Sequence, residues 1–237
     1  MARRGGHEEE MIKLEHVVLA SPKQMGFIIE GMRNPMNSWD KSDSGNGCYS
    51  GLCSGSCAFS PQWCGNTPRY VLGENDCTLM QKLSKAGTDH RKYMRMMPVY
   101  VRITAPLYWW KEFDTYKVGT VANSCSTMHK IQAKEFKLED FSHEHMDIAS
   151  ETCLETTIGY LNLFRQSFLE NHDKDIWWQI IQLLPSSYNQ TRNVMMNYEV
   201  LANIYKSRKN HKLDEWRNFC KWIEELPYSE LITGGVE

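Results

Sequence analysis

The chain has no run approaching the roughly 18 consecutive apolar residues that a membrane helix requires. Its opening, MARRGGHEEEMIKLEHVVLA, lacks the apolar core of a secretory signal. It also lacks an excess of positive charge: the formal net charge is -2, which argues against a nucleic acid polymer as partner. No internal repeat and no Cys-x-x-Cys pair occur. Eight cysteines without a signal sequence point to reduced thiols and a cytoplasmic location.

What remains is an ordinary soluble composition, 41% hydrophobic and 24% charged over 237 residues, enough for a sizeable core. Residues 1–237 read as a single domain with a Cys/Gly/Ser-rich insertion at about 40–66. Ile12, Leu14 and Val18 suggest a first strand. Ser21 followed by Pro22 is a helix start, with Ser as cap and Pro in the first turn. Asn75 or Asp76 is expected to cap a second helix that Gly87 ends. Val99, Val101 and Ile103 alternate with Tyr100, Arg102 and Thr104, which predicts a strand over 98–104. Pro106 then opens a short helix carrying Tyr108, Trp109, Trp110 and Phe113. The second half reads as mostly helical, one helix being marked by Met195, Tyr198, Leu201 and Tyr205. The expected class is α/β or α+β: a mixed central sheet with flanking helices and a helix-rich C-terminal half.

Three polar segments are candidates for a site. Thr115, Tyr116, Lys117, Thr120, Asn123, Ser124, Cys125, Ser126 and His129 crowd hydrogen-bonding groups into fifteen residues. Lys117 and His129 suit a phosphate, and Asn123 and Ser126 suit a heterocycle edge; a polar loop after a helix is the alternative. Asn197, Glu199, Asn203 and Arg208 interrupt a segment otherwise built to pack, bordering either a groove or a solvated face. His90 lies between a helix and a strand, a common place for a site residue. Cys48, Cys53, Cys57 and Cys64 place four thiols in seventeen residues. Their spacing matches no zinc knuckle, so no metal is assigned; zinc, an iron–sulfur cluster or an empty loop stay open.

In order and spacing, these segments resemble the flavin-dependent thymidylate synthases. Asp89-His90 stands where that family has Glu-His before a strand. Ala105-Pro106 begins its Ala-Pro-x-x-x-x-x-Gln turn, with Glu112 in place of the glutamine, and Thr115-Tyr116-Lys117 in place of an Arg-His-Arg triplet. Thr120, Asn123, Ser124, Ser126, Met128 and His129 follow the next motif with one extra residue. Leu184-Pro185, Asn197, Glu199, Asn203 and Ser207-Arg208 keep its downstream intervals. The likeness covers most of residues 70–220.

The resemblance implies a homotetramer with sites between subunits, making dTMP from dUMP with methylenetetrahydrofolate as carbon donor and NADPH reducing bound FAD. It implies Arg208 and Ser126 as catalytic residues. His90, Thr115, Tyr116, Lys117, Asn197, Glu199 and Asn203 would face the flavin, and Glu112, Asn123, Ser126, His129 and Arg208 the pyrimidine deoxynucleotide. No cysteine follows a proline, unlike the nucleophile of the classical thymidylate synthases. Met128 and Ile181 replace two arginines expected by resemblance, and Glu112 replaces an amide. A related modification such as hydroxymethylation, or a non-catalytic nucleotide- or metal-binding homologue, is therefore a second expectation.

Overall fold

The computed structural model describes residues 11–47 and 69–234. Strand β1 (Lys13–Leu19) leads into helix α1 (Pro22–Arg33). Ser21 caps α1 as expected, within a capping box: its hydroxyl accepts from Gln24 N, and the Gln24 side chain returns to Ser21 N. A small hairpin of β2 (Gly45–Gly47) and β3 (Arg69–Val71) precedes helix α2 (Glu74–Lys85). Neither Asn75 nor Asp76 caps α2. The cap comes from a distant residue, because the Asp43 carboxylate accepts from Asn75 N at 2.9 Å and from Asp76 N at 3.1 Å. Gly73 makes room for that carboxylate: a Cβ there would stand 2.2 Å from it. Gly87, at φ +103, ends the helix as its composition predicted.

Strand β4 (Pro98–Pro106) shows the alternation the sequence announced. Val99, Val101, Ile103 and Ala105 face the core, whereas Tyr100 and Arg102 are exposed. Helix α3 (Leu107–Phe113), edge strand β5 (Val121–Ser124), and helices α4 (Ile148–Asn171) and α5 (Lys174–Leu183) follow. Strand β6 (Asn189–Asn197) runs into α6 (Tyr198–Arg208), and α7 (Asp214–Glu225) and α8 (Glu230–Thr233) complete the described chain. The four-stranded sheet has the order β1-β4-β6-β5. The expected α+β class and helix-rich second half are present. Every described pairing is antiparallel, however, so the sheet is not mixed. The helix expected from Met195 onward begins only after Asn197, since residues 189–197 pair with β4 along their whole length.

The aromatic run of α3 is interior. Trp109, Trp110 and Phe113 are at most 1% exposed and interlock with Trp216 and Phe219 of α7, with Trp109–Trp216 centroids 4.7 Å apart. Each such side chain contributes about 1.5–3 kcal/mol of burial. This cluster pins α3 and α7 to the core face of the sheet. A separate, smaller cluster joins Phe136 and Phe141 to Leu154, Leu161 and Ile180 of α4 and α5. Among the described residues no helix is long and apolar enough to cross a membrane.

Candidate functional site

Arg208 closes α6 at the rim of the aromatic cluster. Its Nε donates to Tyr116 Oη at 3.0 Å, and its Nη1 donates to Glu112 Oε2 at 2.7 Å. The guanidinium carbon lies 4.8 Å from the Trp216 ring centre and 5.8 Å from that of Tyr116. A planar, weakly hydrated cation suits such a seat, where rings take its face and a carboxylate its edge. Glu112 Oε2 is shared: Trp216 Nε1 donates to it at 2.9 Å, and His211 Nε2 stands 3.5 Å away. Residues 112, 116 and 208, named separately by the sequence, thus meet directly. Trp216 and His211 were missed, since an aromatic in an amphipathic helix reads as core and a histidine after a helix reads as loop.

The first turn of α6 carries a second cluster. The buried Glu199 accepts from Arg91 Nε at 3.2 Å and from Arg95 Nε. Arg91 Nη2 donates to Asn203 Oδ1 at 3.1 Å. Burial alone would raise the Glu199 carboxyl, but hydrogen bonds from Arg95 and Arg91 and their charges outweigh it and hold the carboxyl below its usual value. His90 itself is exposed, one residue from Arg91, in the turn after Gly87. Asn197 is the cap of α6 rather than part of its body; its Oδ1 accepts from Val200 N at 3.0 Å. Nine residues at 1.5 Å each place Glu199 and Arg208 about 14 Å apart along the helix.

The polar stretch divides. Thr115 and Lys117 are exposed, and Thr115 Oγ1 donates to the carbonyl of Glu112 at 2.7 Å. Gly119, at φ +79, presses so closely on α6 that a Cβ would stand 2.8 Å from Asn197 Nδ2. Thr120 Oγ1 is buried without a hydrogen-bond partner among the described residues. Beyond it the chain turns into β5, where Asn123 pairs with Asn193 and all four residues are exposed. Ser126 Oγ accepts from His129 N at 2.9 Å, and Met128 O accepts from Trp177 Nε1 of α5 at 3.1 Å. Ser126 and His129, flanking Met128, therefore lie toward α5, whereas Asn123 sits on β5 against β6. No contact among the described residues joins them to Arg208. Arg192, another residue the sequence reading passed over, is opposite Ser124 in the β5–β6 register. Its guanidinium carbon lies 4.1 Å over Trp110, with Nη1 2.7 Å from Asp114 Oδ1.

Two clefts of about 570 and 510 Å³ are lined by other residues, including Arg33 and Trp39 in the first, Met97 and Tyr198 in the second, and Tyr70 in both. Cys48, Cys53, Cys57 and Cys64 lie outside the described residues. Among the described residues no group of three or more histidines, cysteines and carboxylates is placed to hold a metal.

No family model matches the sequence, and no curated protein matches it. Solved structures do match in shape. One is thymidylate synthase X from Helicobacter pylori with FAD and dUMP, at 15% identity and a TM-score of 0.59 over 93% of this chain and 94% of that one. Another is the flavin-dependent thymidylate synthase ThyX from the same organism, complexed with FAD and dUMP, at 15% identity and a TM-score of 0.61 over 95% and 99%. At this identity the likeness is one of fold: the chain shares the α+β fold of these enzymes over 93–95% of its length.

Proposed function

We propose that the protein is a flavin-dependent enzyme adding a one-carbon unit to C5 of a pyrimidine deoxynucleotide. In its thymidylate synthase form the reaction is the reductive methylation of dUMP to dTMP, with methylenetetrahydrofolate as carbon donor and NADPH reducing FAD. One observation carries this reading beyond the shared fold. Arg208 meets Glu112 and Tyr116, 96 and 92 residues away in sequence, in one ion-paired, ring-lined cluster at the surface.

The donor set suits a flavin nucleotide in kind, offering exposed hydroxyls, amides and cations rather than a closed apolar box. In this reading His90, Thr115, Tyr116, Lys117, Asn197 and Asn203 hold the flavin, while Glu199 acts through Arg91 and Arg95, which already occupy its carboxylate. Bound FAD supplies the hydride. Arg208 faces the N3 side of the base and stabilises negative charge developing there. Asn123, Ser126 and His129 hold the nucleotide, with Ser126 acting beside Arg208. Because no hydrogen bond or ion pair among the described residues joins these residues to Arg208, the complete site is proposed to form between neighbouring subunits of a homotetramer. The carboxylate at 112 and the missing Arg-His-Arg triplet favour a second reading, a related modification such as hydroxymethylation.

The test is purification with FAD, followed by flavin reoxidation and release of tritium from C5-labelled dUMP or dCMP, with NADPH and methylenetetrahydrofolate present. Arg208→Ala is expected to lower turnover on the order of 100-fold while the fold survives. Colourless protein that ignores added FAD, or near-normal turnover of the variant, contradicts the reading.

A further inference from the structure

We infer that Glu112 selects the base, and that the base it selects is a 4-aminopyrimidine: the nucleotide is a cytosine rather than a uracil deoxynucleotide. This rests on the proposed function, in which Arg208 faces the N3 side of the ring.

The position of Glu112 is fixed from both sides. It belongs to α3, whose neighbouring Trp109, Trp110 and Phe113 are locked in the core. Its Oε2 is the common acceptor for Arg208 Nη1 at 2.7 Å and Trp216 Nε1 at 2.9 Å. His211 stands near the same oxygen without hydrogen-bonding to it. Its Nδ1 accepts from Leu213 N at 3.2 Å, and its Nε2 lies 3.5 Å from Oε2. Both donors, Arg208 and Trp216, converge on Oε2. Among the described residues none donates to Oε1, and Arg208 Nη2 donates to none. The Glu112 side chain is 35% exposed. The site thus offers a ligand a fixed acceptor beside a fixed donor.

With the guanidinium held against N3, both pyrimidines present an acceptor oxygen at C2, so in that pose the carboxylate can be satisfied only on the C4 side. There uracil has a second acceptor oxygen, and cytosine an amine that donates. With the guanidinium on N3, cytosine offers it a ring lone pair and O2, and gives an amine hydrogen to Oε1. Uracil in the same pose sets O4 against Oε1 and its own N3–H against the guanidinium. The glutamine that the resembled enzymes carry reverses this. The two donors, Arg208 and Trp216, would hold its oxygen in the Oε2 place, which turns its NH2 into the Oε1 place, a donor suited to O4. One atom exchanged at position 112 inverts what the site reads.

The experiment is titration of the FAD-loaded protein with dCMP and with dUMP, followed by flavin fluorescence and calorimetry, for wild type and Glu112→Gln. Wild type is expected to bind dCMP at least tenfold tighter than dUMP, and the variant to invert that order, as a site built for one hydrogen-bond partner rejects an analogue lacking it. A measurement on wild type alone covers the case of a variant that does not fold. The deoxynucleotide of pyrimidin-2-one, with hydrogen in place of the amine, is expected to bind at least tenfold more weakly than dCMP. Equal or tighter binding of dUMP by wild type, or no loss with the pyrimidinone nucleotide, overturns the inference and leaves the proposed function standing. Failure to take up flavin, or to bind either nucleotide, overturns both.

Discussion

Replacing Asp76 by alanine is expected to be the most damaging single change in the N-terminal half. The carboxylate is 0% exposed and accepts from Arg33 Nε at 2.5 Å, Ser42 Oγ at 2.7 Å, Ser44 Oγ at 2.6 Å, and the amides of Asp43 and Ser44 at 3.2 Å. Its loss strands Arg33, itself only 3% exposed, with Ser38 as its remaining hydrogen-bond partner among the described residues. Breaking a buried pair from one side costs about 3–5 kcal/mol. At roughly 2–4 °C per kcal/mol for a chain of this size, the melting temperature falls by about 6–20 °C. Circular dichroism melts and urea midpoints measure this directly. Because part of the penalty comes from the orphaned charge, Arg33→Met with Asp76→Leu is expected to recover that part, while the Ser42, Ser44 and Asp43 donors stay unpaired.

The acid dependence follows from the same site. Burial would raise the Asp76 carboxyl, but hydrogen bonds from Ser44, Ser42 and Arg33, together with Arg33's charge, hold it below its ordinary value. Its contribution is therefore full above about pH 4, where the unfolded carboxyl is also ionised, and is lost as the pH falls through the folded value. A loss under about 1 kcal/mol at pH 7, or a double variant no better than Asp76→Ala, refutes the reasoning.

Gly119→Ala is expected to cost on the order of 1–2 kcal/mol for its left-handed backbone alone. The crowding of Asn197 adds to this, so a urea midpoint indistinguishable from wild type counts against the contact with α6. Glu199→Gln removes the carboxylate between Arg91 and Arg95 and is expected to destabilise by about 1.5–3 kcal/mol at pH 7. Because the folded Glu199 carboxyl titrates below its usual range, that difference is expected to shrink as the pH drops below about 4. A pH-independent difference would show packing rather than charge at work.

Elements whose signals are local were legible. The Ser21-Pro22 start, the β4 alternation and the Gly87 stop each depend on residues within a few positions, and the structure has all three. Strand β6 was hidden because Gln190 and Arg192 occupy places where apolar residues would announce a period of two. Met195, Tyr198, Leu201 and Tyr205 fall by coincidence at helical intervals across a strand–helix junction. Strand β5 is an exposed four-residue edge with no apolar face to reveal it. The cap of α2 was invisible for another reason: Asp43 reaches it across more than thirty residues. At the site, spacing identified the residues that meet on Arg208. It did not identify the partners that orient them, Trp216, His211, Arg91 and Arg95, which come from elements with their own packing roles.

Helix α6 is grasped at both ends by the same short piece of chain. Glu112 and Tyr116 take hold of its last residue, and Gly119 bears on the asparagine that starts it. Residues 112–119 thus run alongside the helix like a bowstring along its bow. One segment of eight residues therefore meets both the residue that opens the helix and the one that closes it.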